Sequence, residues 1–189
     1  MCDKRTKWWD NNNIPKNGVI VEIGVDRGIN ADRLYKVFNP KKMYLVDAWV
    51  YPAPNEYIEL ETKKDRLQEQ CNKHRDFVME KWENVENVEV IHNTSVEAAK
   101  YFEDEYFDFI YIDANHAYQA VKEDLAAWYP KLKPRGVIAG HDWSHGSVKT
   151  AVEEFNETVK RKLIHVKNPV YHSDGCNEWG LLPAEESIT

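Results

Sequence analysis

Val19-Ile20-Val21-Glu22-Ile23-Gly24-Val25-Asp26-Arg27-Gly28 is the stretch whose reading decides the fold. An apolar β-branched run ends on an acidic residue. Two glycines spaced Gly-x-x-x-Gly follow, and after them comes a segment with helical patterning. Nineteen residues beyond Gly28, a second apolar run, Met43-Tyr44-Leu45-Val46, ends on Asp47. Strand, glycine turn, helix and a second strand ending in a carboxylate make a nucleoside-binding half-site: glycine lets backbone approach a ligand, and the carboxylate can take both ribose hydroxyls. The dinucleotide fingerprint Gly-x-Gly-x-x-Gly would need glycine at Asp26 and Ile29. A carboxylate at position 26 would repel a pyrophosphate. The half-site therefore favours a nucleoside without phosphate, and disfavours a nicotinamide-dinucleotide dehydrogenase.

Working outward, residues 1–17 are a polar N-terminal lead-in containing Asn11-Asn12-Asn13 and Pro15, and residues 18–189 form one domain. The first strand covers 19–23. Asn30 is placed to cap a short helix to about Phe38, and Asn39-Pro40 ends it. The second strand covers 42–48. Pro52 and Pro54 break the chain before a charged helix over about 55–83, read as a solvated face. The third strand covers 88–92, and Thr94-Ser95-Val96-Glu97 reads as a capping box opening a helix to about Phe102. The fourth strand, 107–114, is apolar almost throughout, as in a sheet covered on both faces. A helix over 118–129 puts Val121, Leu125 and Trp128 on one face. Lys133-Pro134-Arg135-Gly136 turns into a fifth strand over 137–140, and Ser147 caps a helix carrying Val148, Ala151, Val152, Phe155 and Val159 on one stripe. Segments 164–166 and 179–182 are the last strands, an antiparallel hairpin around Asp174-Gly175.

Strands alternating with helices imply a single doubly wound, Rossmann-like α/β domain with a mainly parallel seven-stranded sheet. Ligands of such sheets sit at the carboxyl ends of the strands. Glu22, Gly24, Asp47, Asn93, Asp113, His141 and Asp142 all fall at such ends and should share one rim. S-adenosylmethionine (SAM) is a nucleoside without phosphate and suits that rim.

Composition narrows the partners. The chain has 189 residues and a formal charge of −7, which argues against a general nucleic-acid or anionic-membrane binder. No apolar run is long enough to span a bilayer, and Met1–Lys7 lacks the apolar stretch of a signal peptide. Three widely separated cysteines, Cys2, Cys71 and Cys176, suit free thiols in a reducing cytoplasm. Trp8-Trp9 reads as a packing anchor.

The ordered motifs resemble the class I SAM-dependent methyltransferases from about Val19 to Pro183: Glu22-x-Gly24-x-x-x-Gly28, Asp47, Phe107-Asp108-Phe109-Ile110-Tyr111-Ile112-Asp113, and Leu132-Lys133-Pro134-Arg135-Gly136-Val137-Ile138. Family members often have Pro-Gly-Gly where this chain has Pro-Arg-Gly. A narrower likeness is to metal-dependent small-molecule O-methyltransferases of the catechol and macrocin/mycinamicin sugar types. That resemblance implies cofactor contacts from Glu22, Gly24, Gly28, Asp47, Ser95 and Asp113. It also implies metal ligands at Asp113, His141 and Asp142, and catalysis by Asp113 with His116 as general base. His141 departs from the family, where a carboxylate stands. Mg²⁺ prefers oxygen ligands, and an imidazole suits Mn²⁺, Fe²⁺ or Zn²⁺ better.

The expected function is methyl transfer from SAM to a hydroxyl of a small-molecule acceptor, a sugar or vicinal diol, with Mg²⁺ or Mn²⁺ assisting. The alternatives are a metal-dependent hydroxylase- or hydrolase-like enzyme that binds SAM or another nucleoside, and a non-catalytic SAM-binding module. Each residue also has a structural reading: glycines as a tight turn, Asp47 as a helix cap, Ser95 as a cap, His116 as a packing residue. With few residues before the first strand, the acceptor pocket is either open or completed by a second subunit of a homodimer.

Overall fold

A computed structural model describes residues 4–11, 14, 16–51, 61–166 and 177–183. Asn12, Asn13, Pro15, Pro52, Pro54, residues 55–60 of the charged helix, the Asp174-Gly175 turn, Cys2 and Cys176 lie outside these residues.

The strands are β1 (Val19–Ile23), β2 (Lys42–Asp47), β3 (Val88–His92), β4 (Phe107–Ile112), β5 (Leu132–Gly140), β6 (Lys162–His165) and β7 (Trp179–Leu182). The helices are α1 (Lys4–Asn11), α2 (Ile29–Phe38), α3 (Glu61–Trp82), α4 (Ser95–Ala99), α5 (Tyr118–Trp128) and α6 (Gly146–Val159). The seven strands form one sheet in the order β3-β2-β1-β4-β5-β7-β6. Pairings from β3 to β5 are parallel, and β7 runs antiparallel to both β5 and β6. The expected doubly wound domain with its terminal antiparallel hairpin is what forms.

Period-two alternation along the central strands feeds two cores. Val21, Ile23, Ile110, Ile112 and Ile138 face α4, α5 and α6, where Val121, Leu125, Trp128, Val148 and Val152 are buried. Ile20, Met43, Leu45, Phe109 and Tyr111 face α1, α2 and α3 through Trp9, Leu34, Phe38, Val78 and Trp82. Trp9 is 1% exposed and packs on Phe38 and, edge-on, on Tyr111, so the anchoring tryptophan ties α1 to the domain core.

Several local expectations change. Asn30 lies inside α2 rather than at its cap; Gly28, at φ 73°, holds that position, and the Asn30 amide donates to Glu22 Oε1 at 2.9 Å. The capping box does not form. Thr94 makes no side-chain cap, its N–H is taken by the Asn93 carboxamide oxygen, and α4 stops at Ala99. Ser147 does not cap α6 either, since its hydroxyl donates to the His116 carbonyl. Strand β5 begins at Leu132, with a register shift opposite Phe107 and Phe109. An irregularity of that kind accommodates Pro134, which has no N–H to give the ladder.

Candidate active site

At the carboxyl ends of β1, β2 and β4 lies a cavity of about 970 Å³. Gly24 forms its floor. At φ 87° it lets β1 turn beneath the end of β4, where the Asp113 N–H reaches Ile23 O at 2.7 Å and the Gly24 N–H reaches Val46 O at 2.9 Å. Asp47 stands beside it. One carboxylate oxygen accepts the N–H groups of Val25 at 2.8 Å and Asp26 at 2.9 Å; the other accepts that of Trp49 at 2.6 Å. A carboxylate offers about four lone-pair sites. Asp47 thus secures the glycine turn and keeps one acceptor site at the cavity wall. Asp26 also lines the cavity, pinned by His74 Nδ1 at 2.7 Å.

Glu22 and Gly28 are placed differently. Glu22 is 1% exposed, sits below the turn, holds the first turn of α2 through Asn30, and is not on the cavity wall. Gly28 is also off the wall and faces Val78. Glu22 is thus held beneath the turn by Asn30, and Gly28 caps α2; neither lines the cavity. Ser95 lines the cavity, but its hydroxyl oxygen accepts Trp128 Nε1–H at 2.9 Å.

The other end of the rim gathers titratable groups. Asp113 and His116 line the cavity, and His141 and Asp142 stand directly behind them. His116 Nε2 is 2.9 Å from Asp142 Oδ2 and 3.7 Å from Asp113 Oδ1. His141 Nδ1 is 3.2 Å from the same Asp142 oxygen. The Asp113 and Asp142 carboxylates raise His116 to a pKa of about 10, against the effect of its burial. Burial pushes Asp142 upward, yet His116 and His141 outweigh it and hold the carboxyl well below the usual carboxylate range. Asp142 itself is at φ 59°, in a turn anchored by Asn177, whose carboxamide accepts the Ser144 N–H at 2.9 Å and donates to Ser144 Oγ at 2.9 Å.

Sequence reasoning missed Asn177 and Asp124. Asp124 is 5% exposed and lines the cavity next to Ser95. A signal was present: Val121, Asp124, Leu125 and Trp128 share one buried stripe of α5, and a carboxylate on an apolar stripe calls for a partner. Asn177 had no such local signal.

Residues 21–143 match the methyltransferase domain family. This chain belongs to that family. Family and fold together make it a methyltransferase domain built on a doubly wound sheet. An uncharacterized protein of Sinorhizobium fredii is 40% identical over 96 residues, which are 51% of this chain and 11% of that protein, so the chain spans about a tenth of that relative's length. A SAM-dependent methyltransferase from Aquifex aeolicus superposes with a TM-score of 0.62 at 15% identity, covering 96% of this chain and 90% of that one. Spermidine synthase from Thermotoga maritima shares the same fold, with a TM-score of 0.61, 15% identity, and coverage of 98% and 61%. No helix among the described residues is long and apolar enough to cross a membrane.

Two groups that a methyltransferase of this kind can hold meet suitable donors here. Gly24, Asp47 and the cavity beyond them fit a nucleoside. One donor atom each from Asp113, His141 and Asp142 lie within 4.8 Å of one another, a mixed oxygen and imidazole set that fits Mn²⁺, Fe²⁺ or Zn²⁺ better than Mg²⁺.

The double duty of Asp47 gives a first expected result. Asp47→Asn leaves one oxygen for three N–H groups. It should weaken S-adenosylhomocysteine (SAH) binding about tenfold or more and cost about 1–3 kcal/mol of stability. Calorimetric titration and urea unfolding read the two effects separately. Loss of stability with intact SAH affinity would leave Asp47 a purely structural residue.

Proposed function

We propose that this methyltransferase domain transfers a methyl group from SAM to a hydroxyl of a small-molecule acceptor, of the sugar or vicinal-diol class. The observation that carries the reading is the convergence of Asp113, His116 and Asp142 at one end of the nucleoside cavity, with His116 Nε2 2.9 Å and 3.7 Å from the two carboxylates. SAM supplies a sulfonium methyl, open to in-line displacement by an oxygen nucleophile. A divalent cation supplies Lewis acidity, which lowers the pKa of a ligated hydroxyl.

The chain does the rest. Asp47 and the Gly24 turn fix the nucleoside, so that the methyl-bearing end faces the Asp113 side of the cavity. Asp113, His141 and Asp142 are the residues that would hold the cation. As the acceptor oxygen bonds to the methyl carbon and the carbon–sulfur bond breaks, the hydroxyl proton passes to His116, which lies at the cavity wall. His116 serves as a base only when neutral, so engagement of both carboxylates elsewhere is what frees it for that role. Placing both reactants in one pocket contributes through proximity.

The test is SAH formation from SAM with catechol and glycoside acceptors, with chelator and then with Mn²⁺ or Mg²⁺. Acceptor-dependent SAH that chelation abolishes and a cation restores is expected. Acceptor-dependent SAH unaffected by chelation would remove the metal from the reading. The imidazole of His141 beside two carboxylates also favours a second reading, a metal-dependent hydrolase- or hydroxylase-like enzyme. Substrate consumption without SAH would establish it, and SAH binding without turnover would leave a binding module.

A further inference from the structure

The cavity continues past Asp47 between the start of α4 and the face of α5. Its walls there are small and apolar: Val96 on one side, Ala117 and Ala120 on the other, a slot suited to a flat ring. The rim fixes which part of a nucleoside lies where. With the ribose at Asp47, the base extends into this slot. Thr94, Ser95, Glu123 and Asp124 bring polar side chains to this part of the lining, and Asp124 is the buried carboxylate among them.

Ser95 is an expected cofactor contact, but its bonding limits what it can offer the base. Its oxygen already accepts Trp128 Nε1–H at 2.9 Å, and its hydroxyl interacts with the Asp124 carboxyl. A serine has one proton to give. The Asp124 carboxylate accepts from Ser95 and retains lone pairs toward the cavity. It is 5% exposed, and a buried carboxylate facing apolar walls is costly unless donors meet it.

Resting on the SAM reading above, we propose that Asp124 is the adenine-specificity residue of this domain: its carboxylate accepts a hydrogen bond from the exocyclic amino group of the base, and Trp128 and Ser95 hold it in place. An amino group is the donor that this edge lacks. A base with a carbonyl at the same position, hypoxanthine, would set one acceptor against another. Burial pushes the Asp124 carboxyl up to about 6, with the Ser95 interaction working the other way; the group thus remains an ionised acceptor at slightly alkaline pH.

The experiment is calorimetric titration of the full chain at pH 8 with SAH and with S-inosylhomocysteine, in which a carbonyl replaces that amino group and the neighbouring N1 carries a proton. The wild type should bind SAH about 10- to 100-fold more tightly, the range expected for a hydrogen bond to a charged group. In Asp124→Asn, whose amide can donate to the carbonyl, the preference should collapse to within about threefold or invert. The ratio is taken within one protein, so general destabilisation cancels from it. Should Asp124→Asn fail to fold, Asp124→Ala, which removes the acceptor, should likewise narrow the ratio to within about threefold. Equal wild-type affinities, or a preference that Asp124→Asn leaves intact, would overturn the assignment while SAM binding stood. Failure of the wild type to bind either nucleoside would instead break the SAM reading itself.

Discussion

His116→Ala should lower kcat by about 10²- to 10⁴-fold and leave SAH affinity unchanged, the signature of a lost proton acceptor rather than a lost binding contact. The side chain follows β4 by a short loop whose backbone is held by the Ser147 hydroxyl, so truncation removes the imidazole without freeing the loop. His116 lines the cavity beside Asp113 and is a different residue from those proposed to hold the nucleoside, Asp47 and Asp124. Added imidazole should restore part of the rate, which a merely structural histidine would not permit. Unchanged turnover in His116→Ala would end the base assignment.

The same residue carries a pH signature. In cation-free protein its pKa rises from the ordinary 6.5 to about 10, because Asp113 and Asp142 hold its proton. The folded state therefore binds the proton more tightly than the unfolded chain does. The stability this contributes is complete below pH about 6.5 and is lost as pH rises through about 10. A cation on the two carboxylates takes away the charges that hold the proton. Unfolding midpoints measured from pH 6 to 10 should fall with pH in chelated protein and flatten with Mn²⁺ present. His116→Ala should be flat in both.

The sequence announced the rim better than the reasons for it. Strand ends were legible because each apolar run stops on a polar residue, at Asp47, Asp113 and His141, and a doubly wound sheet brings those ends together. The Asp113 and His116 spacing survives into a close pair because one short loop joins them. The direction of Glu22 was not legible, because a carboxylate near a strand's ligand end looks the same in sequence whether its side chain points into the cavity or under the turn. In the structure it points under, to Asn30. Ser95 lines the cavity as its position implied, but its acceptance of Trp128 Nε1–H, from thirty-three positions away, had no local signal. Asp124 went unnoticed although its place on the Val121, Leu125 and Trp128 stripe marks it. Asn177, which anchors the turn carrying Asp142, is set there by strand pairing at the far end of the chain, and pairing of that range leaves no local pattern.

Gly24→Ala should destabilise the domain by about 4 kcal/mol or more, which places it among the exceptional substitutions. Two causes act together. The residue sits at φ 87°, where a side chain costs roughly 1–2 kcal/mol. A Cβ there would also lie 2.0 Å from the Asp113 carbonyl oxygen and 2.5 Å from its carbonyl carbon. Neither atom can retreat cheaply, since β4 is hydrogen-bonded to β1 on one side and β5 on the other. Gly28→Ala is the internal control. Its φ of 73° carries the same backbone cost, but its Cβ would meet only a Val78 methyl at 3.2 Å, which can shift. That variant should lose only about 1–2 kcal/mol. Urea unfolding of both variants measures the difference, and equal losses would show that close approach of β1 to β4 is not what requires glycine at position 24. A larger loss at Gly24 than at Gly28 would mean that the first glycine of the motif is fixed by the meeting of two strand ends before any ligand arrives. The nucleoside would then inherit a turn that the sheet had already imposed.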